Sequence, residues 1–175
     1  MLIINASPRT QGNSAFLAEA LQRHYTNSEI IHLANLNLKT CTSCMSCKNN
    51  NSLCIISDDM TPIYKKLLDA DKIVFISPNI FGFLSSLGKI FTDRFYCLKT
   101  ADKKTKFDEG KKVIFLFNQG SPNRDHGSMA VNWAKNFFEN YGLKTFTMII
   151  PNCSVDSFEG AEIKLEEIKM NISMF

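Results

Sequence analysis

No apolar run in this chain of 175 residues approaches the roughly 18–20 residues that a membrane-spanning helix needs. A basic cluster is missing too. Lys+Arg 20 against Asp+Glu 17 leaves a net charge of only +3, so no nucleic-acid surface is expected. The chain runs straight into Leu2-Ile3-Ile4, with neither a charged leader nor a cleavage signal, and a cytoplasmic location is expected. Internal repeats, low-complexity linkers and composition shifts are absent. With 45% hydrophobic and 21% charged residues, disorder, collagen and a coiled-coil rod are all disfavoured. The length predicts one domain over residues 1–175. No Ser/His/Asp constellation or paired-carboxylate site offers itself for acid–base chemistry.

What is present is a strict alternation of apolar runs and amphipathic stretches. Strands are expected at Leu2–Asn5, Glu29–Leu33, Lys72–Ser77, Lys111–Phe117 and Lys144–Ile150. Helices are expected at Ser14–Tyr25, from Asp58-Asp59 to Ala70, from Ser85 to about Leu98, at Ser128–Tyr141 and from Ala161 to about Met174. The run Ile73-Val74-Phe75-Ile76 is apolar on both faces, as a central parallel strand should be. Strand–helix alternation means a parallel sheet with helices on both faces, a three-layer α/β/α fold. For five strands the flavodoxin-like order 2-1-3-4-5 is the natural choice, and its ligand crevice collects the loops after strands 1, 3 and 4.

The first of these loops, Ser7-Pro8-Arg9-Thr10-Gln11-Gly12-Asn13-Ser14, opens a helix. It offers hydroxyls, amides and a guanidinium where the helix dipole favours an anion, which suits a phosphate. It lacks G-x-G-x-x-G and Gly-Lys-Ser/Thr, which disfavours dinucleotides and ATP or GTP, and an acidic pair of the receiver type is missing. The second, Pro78-Asn79-Ile80-Phe81-Gly82-Phe83, is apolar enough for a flat conjugated ring. The third, Asn118-Gln119-Gly120-Ser121, offers amides and carbonyls for a heterocycle edge. Each alone also reads as an ordinary turn; together they point to a phosphorylated planar cofactor.

Four of the six cysteines form Cys41-x2-Cys44-x2-Cys47-x6-Cys54, inside a polar insertion loop over 39–57. Thiolates at i, i+3 and i+6 plus a fourth favour an iron–sulfur cluster over zinc, whose knuckles are usually further apart. Cysteines that bind nothing remain the bland alternative. Cys97 and Cys153 read as core or incidental, the charged stretch 101–111 as solvated surface, and Asp93-Arg94 as structural ion pairing.

Ser7-Pro8-Arg9 with Gly12-Asn13-Ser14 resembles the phosphate loop of the flavodoxin-like FMN reductases. The four cysteines, then Asp58-Asp59-Met60, Ala70-Asp71, Ser77-Pro78, Lys89 and Asp93-Arg94, resemble the iron–sulfur flavoprotein branch of that family. The likeness runs from Leu2 to about Gly120. It implies FMN, with Ser7, Arg9, Asn13 and Ser14 on its phosphate and Gln11 in the same loop. Pro78, Asn79, Ile80, Phe81 and Gly82 would border the isoalloxazine; Asn118 and Gly120 would meet its far side or the ribityl chain. It also implies a [4Fe-4S] cluster on Cys41, Cys44, Cys47 and Cys54. NAD(P)H or a ferredoxin-like carrier would donate electrons, in a homo-oligomer (dimer or tetramer) where one subunit's cluster approaches another's flavin. Many members carry Tyr where Ile80 stands and Val where Asn79 stands. The leading expectation is an FMN-dependent oxidoreductase passing electrons between flavin and a cluster or external carrier. The alternatives are a cluster-free NAD(P)H-dependent FMN or quinone reductase and a non-enzymatic cysteine-loop redox or metal-sensing module.

Overall fold

The computed structural model describes residues 1–175. Five parallel strands, β1 (Leu2–Asn5), β2 (Glu29–His32), β3 (Lys72–Pro78), β4 (Lys112–Asn118) and β5 (Lys144–Ile150), stand in the order β2-β1-β3-β4-β5. This is the flavodoxin-like α/β arrangement expected from the alternation. Register pairs Ile4 with Ile31 and Phe75, and Ser77 with Phe117. The central strands are apolar on both faces because both faces are covered. Ile3, Val74, Ile114 and Ile150 pack under α1 (Asn13–His24) and α6 (Glu159–Met174). On the other face, Phe75, Phe115 and Phe117 pack under α3 (Thr61–Asp69), α4 (Ser86–Asp93) and α5 (Asp125–Glu139). The aromatics there interlock, with Phe75 5.6 Å from both Phe91 and Phe115. Such aromatic pairs add about 0.5–1.5 kcal/mol beyond area burial.

Several boundaries differ from the expected ones, each for a local reason. The helix placed at Asp58-Asp59 begins at Thr61, with Pro62 in its first turn. The two aspartates cap loop amides instead: Asp59 accepts from Asn37 N at 2.7 Å and Asp58 from Lys39 N at 2.8 Å. The expected helix from Ser85 to Leu98 stops at Asp93 and tightens into a 3-10 segment over Arg94–Leu98. A short α2 (Ser46–Asn49) sits inside the cysteine loop, entered through Met45 at φ +59. Residues 101–111 are not all solvated surface. Phe107 and Lys111 are each only 6% exposed, and Lys111 donates to Ala70 O at 3.2 Å. On α6, Ile163 faces solvent, whereas Ile168 and Ile172 join the core.

Candidate functional site

Strand order reverses between β1 and β3, so the loops leaving their carboxyl ends diverge and leave a crevice. The structure places there a cleft of about 330 Å3, within the range of small-molecule sites. Ser7, Pro8, Arg9, Gly12, Asn13 and Ser14 form one wall. Pro78, Asn79 and Ile80 form a second, and Asn118, Gln119 and Gly120 a third. All three expected loops therefore reach one site, although Phe81 and Gly82 of the second lie outside its lining. A fourth segment, Cys153, Ser154 and Val155, completes it. No periodic sequence signal marks that segment, and Cys153, expected to be core or incidental, lines the cleft. No Asp or Glu lines it.

The first loop is built by its own side chains. Asn5 Oδ1 accepts from Ser7 N at 3.0 Å, and Ser7 Oγ accepts from Arg9 N at 3.1 Å. Gly12, at φ +152, lets Arg9 fold back: a Cβ there would stand 3.3 Å from the guanidinium. Gly12 supplies no side-chain cap to α1, and no acid sits in the first turn. The first amides of that helix are thus left for an anion, beside a guanidinium that donates a single bond, to Val155 O at 3.1 Å. Gln11 is exposed and lies outside the cleft lining.

Deeper in the cleft, Asn118 Nδ2 donates to Ser14 Oγ at 2.8 Å. Because Ser14 accepts there, its own hydroxyl proton is free for another acceptor. Asn118 Oδ1 and Asn13 Oδ1 are buried with no hydrogen-bond partner. Two orphaned acceptors in one cleft fit a ligand that brings donors, since leaving each unpaired costs about 1–3 kcal/mol. A Cβ at Gly120 would meet only Cys153 O at 3.7 Å, so its open side also faces the cleft. FMN meets these terms: phosphate for Arg9, Ser7, Ser14 and the α1 amides, ribityl hydroxyls and a ring N–H for the two amide oxygens. Burial pushes the Cys153 thiol up to about 12, so it stays neutral there.

At the cleft mouth, Ile80 and Phe83 pair through both their amides around Phe81 (φ +50) and Gly82 (φ +82). Asn79 Oδ1 braces this turn by accepting from Gly82 N at 2.8 Å. Two consecutive positive φ values suit Gly82 but strain Phe81. Phe83 is committed to Trp133, 5.1 Å away and edge-on, while Phe81 is fully exposed.

The cysteine loop forms a second region. Cys41, Cys44, Cys47 and Cys54 line one narrow cavity, with Cys97 and Arg94 on its inner wall. Arg94 pairs with Asp58 at 2.6 Å, and both side chains are 1% exposed. Its other donors reach Lys39 O at 2.8 Å and Ile56 O at 3.3 Å, so one guanidinium ties both feet of the loop together. The expected pairing of Asp93-Arg94 thus splits in two, because Asp93 pairs with Lys89. Burial alone would raise the Asp58 carboxyl. The Arg94 hydrogen bonds and the Lys39 and Met60 amides reverse this and hold it below its ordinary value. Lys48 and Lys106 fasten the crown by donating to Lys99 O at 2.6 Å and Ser52 O at 2.8 Å. Hydrogen bonds from Ser46 lower the Cys44 thiol. All six cysteines are free. The donor set suits a thiolate-held group, although no three Cys, His, Asp or Glu side chains are gathered tightly enough for a single metal ion. No helix is long and apolar enough to cross a membrane.

A five-stranded parallel sheet in the order β2-β1-β3-β4-β5, with a polar, acid-free cleft at its switch point, defines the class: a flavodoxin-like α/β domain. Solved structures share this fold. They include an NAD(P)H:quinone oxidoreductase from Methanothermobacter marburgensis (TM-score 0.75, 16% identity, covering 97% of this chain and 94% of that one). An FMN-dependent NADH-azoreductase from Bacillus anthracis, solved with FMN, aligns at TM-score 0.68 and 15% identity over 98% of both chains. The chain belongs to the NADPH-dependent FMN reductase family, which it matches over residues 1–158. It is 37% identical over 95 residues to an iron–sulfur flavoprotein of Methanocaldococcus jannaschii, covering 52% of this chain and 49% of the relative. It is 34% identical over 98 residues to one of Archaeoglobus fulgidus, covering 54% and 47%. The matched region spans about half the length of these curated relatives.

Proposed function

We propose that the chain is an FMN-dependent oxidoreductase whose flavin exchanges electrons with a second carrier. The cysteine loop would hold a [4Fe-4S] cluster on Cys41, Cys44, Cys47 and Cys54. The observation that carries the flavin reading is the cleft itself. A guanidinium, two hydroxyls and an uncapped helix start line it, together with two asparagines whose amide oxygens have nothing to accept from. FMN, when bound, supplies the hydride and single-electron chemistry.

The residues bind and orient. Arg9 and the α1 amides neutralise the phosphate, and Ser14, oriented by Asn118, donates to it. Pro78, Asn79 and Ile80 shape the ring's edge, and Gly120 lets it approach the backbone. Without a carboxylate in the lining, nothing repels the phosphate dianion. NAD(P)H or a ferredoxin-like protein is the proposed electron donor. A homo-oligomer in the cytoplasm remains the proposed setting.

A second reading, a cluster-free NAD(P)H-dependent FMN or quinone reductase, is favoured by one feature: the thiols share a cavity without converging on a point. Anaerobic purification after reconstitution with FMN, iron and sulfide separates the two. A flavin spectrum bleached by NADPH, plus broad charge-transfer absorbance and about four irons per chain, supports the cluster reading. In that case a Cys44→Ala variant should lose the iron and keep the flavin. Flavin without iron supports the cluster-free enzyme. Zinc without flavin supports a metal-sensing module and overturns the proposal.

A further inference from the structure

Asn13 stands in the phosphate loop, yet its amide is turned the wrong way for a phosphate. Both hydrogens of Nδ2 are in use, donated to Ser154 O at 2.8 Å and Ser157 O at 3.1 Å. The orientation is forced, because a flipped amide would set its oxygen against two carbonyl oxygens. What remains is Oδ1, a buried acceptor without a partner, on a residue that lines the cleft and is 8% exposed. A phosphate monoester near neutral pH is mostly a dianion and offers only acceptors. The group this oxygen can receive is a hydroxyl.

The two carbonyls belong to the segment between β5 and α6. Its ends are fixed. The Asn152 and Pro151 carbonyls occupy the space beside Gly160, where a Cβ would stand 2.4 and 2.5 Å from them. Phe158 stacks on Phe16 of α1, centroids 5.2 Å apart. Between these anchors the segment is bonded to the phosphate loop by Asn13, which donates to the Ser154 and Ser157 carbonyls, and by Arg9, which donates to that of Val155. The segment is a strap lying against the phosphate end of the cleft, and Asn13 is its latch.

The structure assigns to Asn13 a positioning role: its amide hydrogens hold the 154–157 strap over the cleft while its oxygen accepts a hydroxyl of the bound cofactor's sugar-alcohol chain. Arg9 and the α1 amides are left to read the phosphate. This rests on the flavin reading for the identity of the hydroxyl; the latch stands on the strap contacts alone.

The test pairs two flavins with one local probe. Wild-type, Arg9→Ala, Asn13→Ala and Asn13→Ser chains are titrated with FMN and with riboflavin, which lacks the phosphate but keeps the chain hydroxyls. Arg9→Ala should weaken FMN by roughly 10–100-fold and riboflavin far less, by no more than its single strap bond to Val155 O contributes. Asn13→Ala should weaken both flavins by the same factor, about tenfold, so that the ratio of the two Kd values stays at its wild-type value. In the flavin-free chain, amide exchange at Cys153, Ser154 and Glu159 should accelerate about tenfold in Asn13→Ala, with the core strands unchanged. Asn13→Ser keeps a small polar group that cannot span both carbonyls, and it should match Asn13→Ala if the latter folds poorly. A collapse of the FMN preference in either variant would make Asn13 a phosphate ligand and overturn the assignment. Unchanged flavin affinities together with unchanged exchange would overturn it as well. If the wild-type chain binds neither flavin, the functional reading fails, and the exchange comparison still decides whether Asn13 latches the strap.

Discussion

The cofactor cleft and the feet of the cysteine loop handle buried polar groups in opposite ways. In the cleft, Asn13 Oδ1 and Asn118 Oδ1 are buried without partners, and α1 starts without a side-chain cap. At the feet of the loop, Arg94 donates to Asp58, Lys39, Ile56 and Tyr64, all from a side chain that is 1% exposed. A fold leaves donors and acceptors unsatisfied where something else will satisfy them, and saturates them where geometry must be kept. The cleft is therefore a receiving site. The loop's base is a scaffold that carries the thiols. The two regions should respond differently to substitution: the scaffold in stability, the cleft in affinity.

The sharpest way to break that contrast is Arg94→Ala. It strands Asp58 as an uncompensated buried charge, and the expected loss is about 3–5 kcal/mol in urea unfolding. FMN affinity of the folded fraction should stay within twofold of wild type. A large loss of FMN affinity would mean that the two regions are one. Next comes Gly160→Ala, where the added Cβ meets backbone carbonyls at 2.4 and 2.5 Å. It should cost about 1–3 kcal/mol and, by shifting the strap, weaken flavin as well. Smaller still in stability is Asn118→Ala. It removes one bond to Ser14 and one orphaned acceptor together, so unfolding of the flavin-free chain should change by less than about 1 kcal/mol. Flavin titration should nonetheless show about a tenfold weaker Kd. A stability loss as large as that of Arg94→Ala would remove the distinction between the regions.

The sheet and its crevice were legible because burial on both faces leaves a plain signal. Phe75 and its strand neighbours are apolar without interruption, and the switch point follows once five strands alternate with helices. Apolar spacing carries the expected helix across Asp93 to Leu98, whereas the chain tightens there into a 3-10 segment whose Arg94 bonds the feet of the cysteine loop. Asp58-Asp59 misled for a related reason: acids suit a helix start and equally suit loop amides, and the loop was the stronger claimant. The strap was invisible because residues 151–158 have no period and meet the phosphate loop through main-chain carbonyls, which any side chain possesses. Cys153 gave a weak signal in retrospect, since it follows a strand's carboxyl end by only three residues.

The smallest expected effect concerns acid, and it tests whether the Asp58–Arg94 pair holds the scaffold through charge. The folded Asp58 carboxyl is held below its ordinary value, so the unfolded chain binds its proton first as pH falls. The stability this contributes is fully present above the unfolded value, near ~4 for an aspartate, and is lost as pH drops through the folded value. Unfolding free energy measured between pH 6 and pH 3, an interval of about three units around that value, should therefore fall more steeply in wild type than in Asp58→Asn. The variant is less stable throughout because Arg94 has lost its counter-charge, but it has no such proton to take up. Parallel pH slopes in the two chains would show that Arg94 holds the loop through its bonds to the Lys39 and Ile56 carbonyls and not through the ion pair.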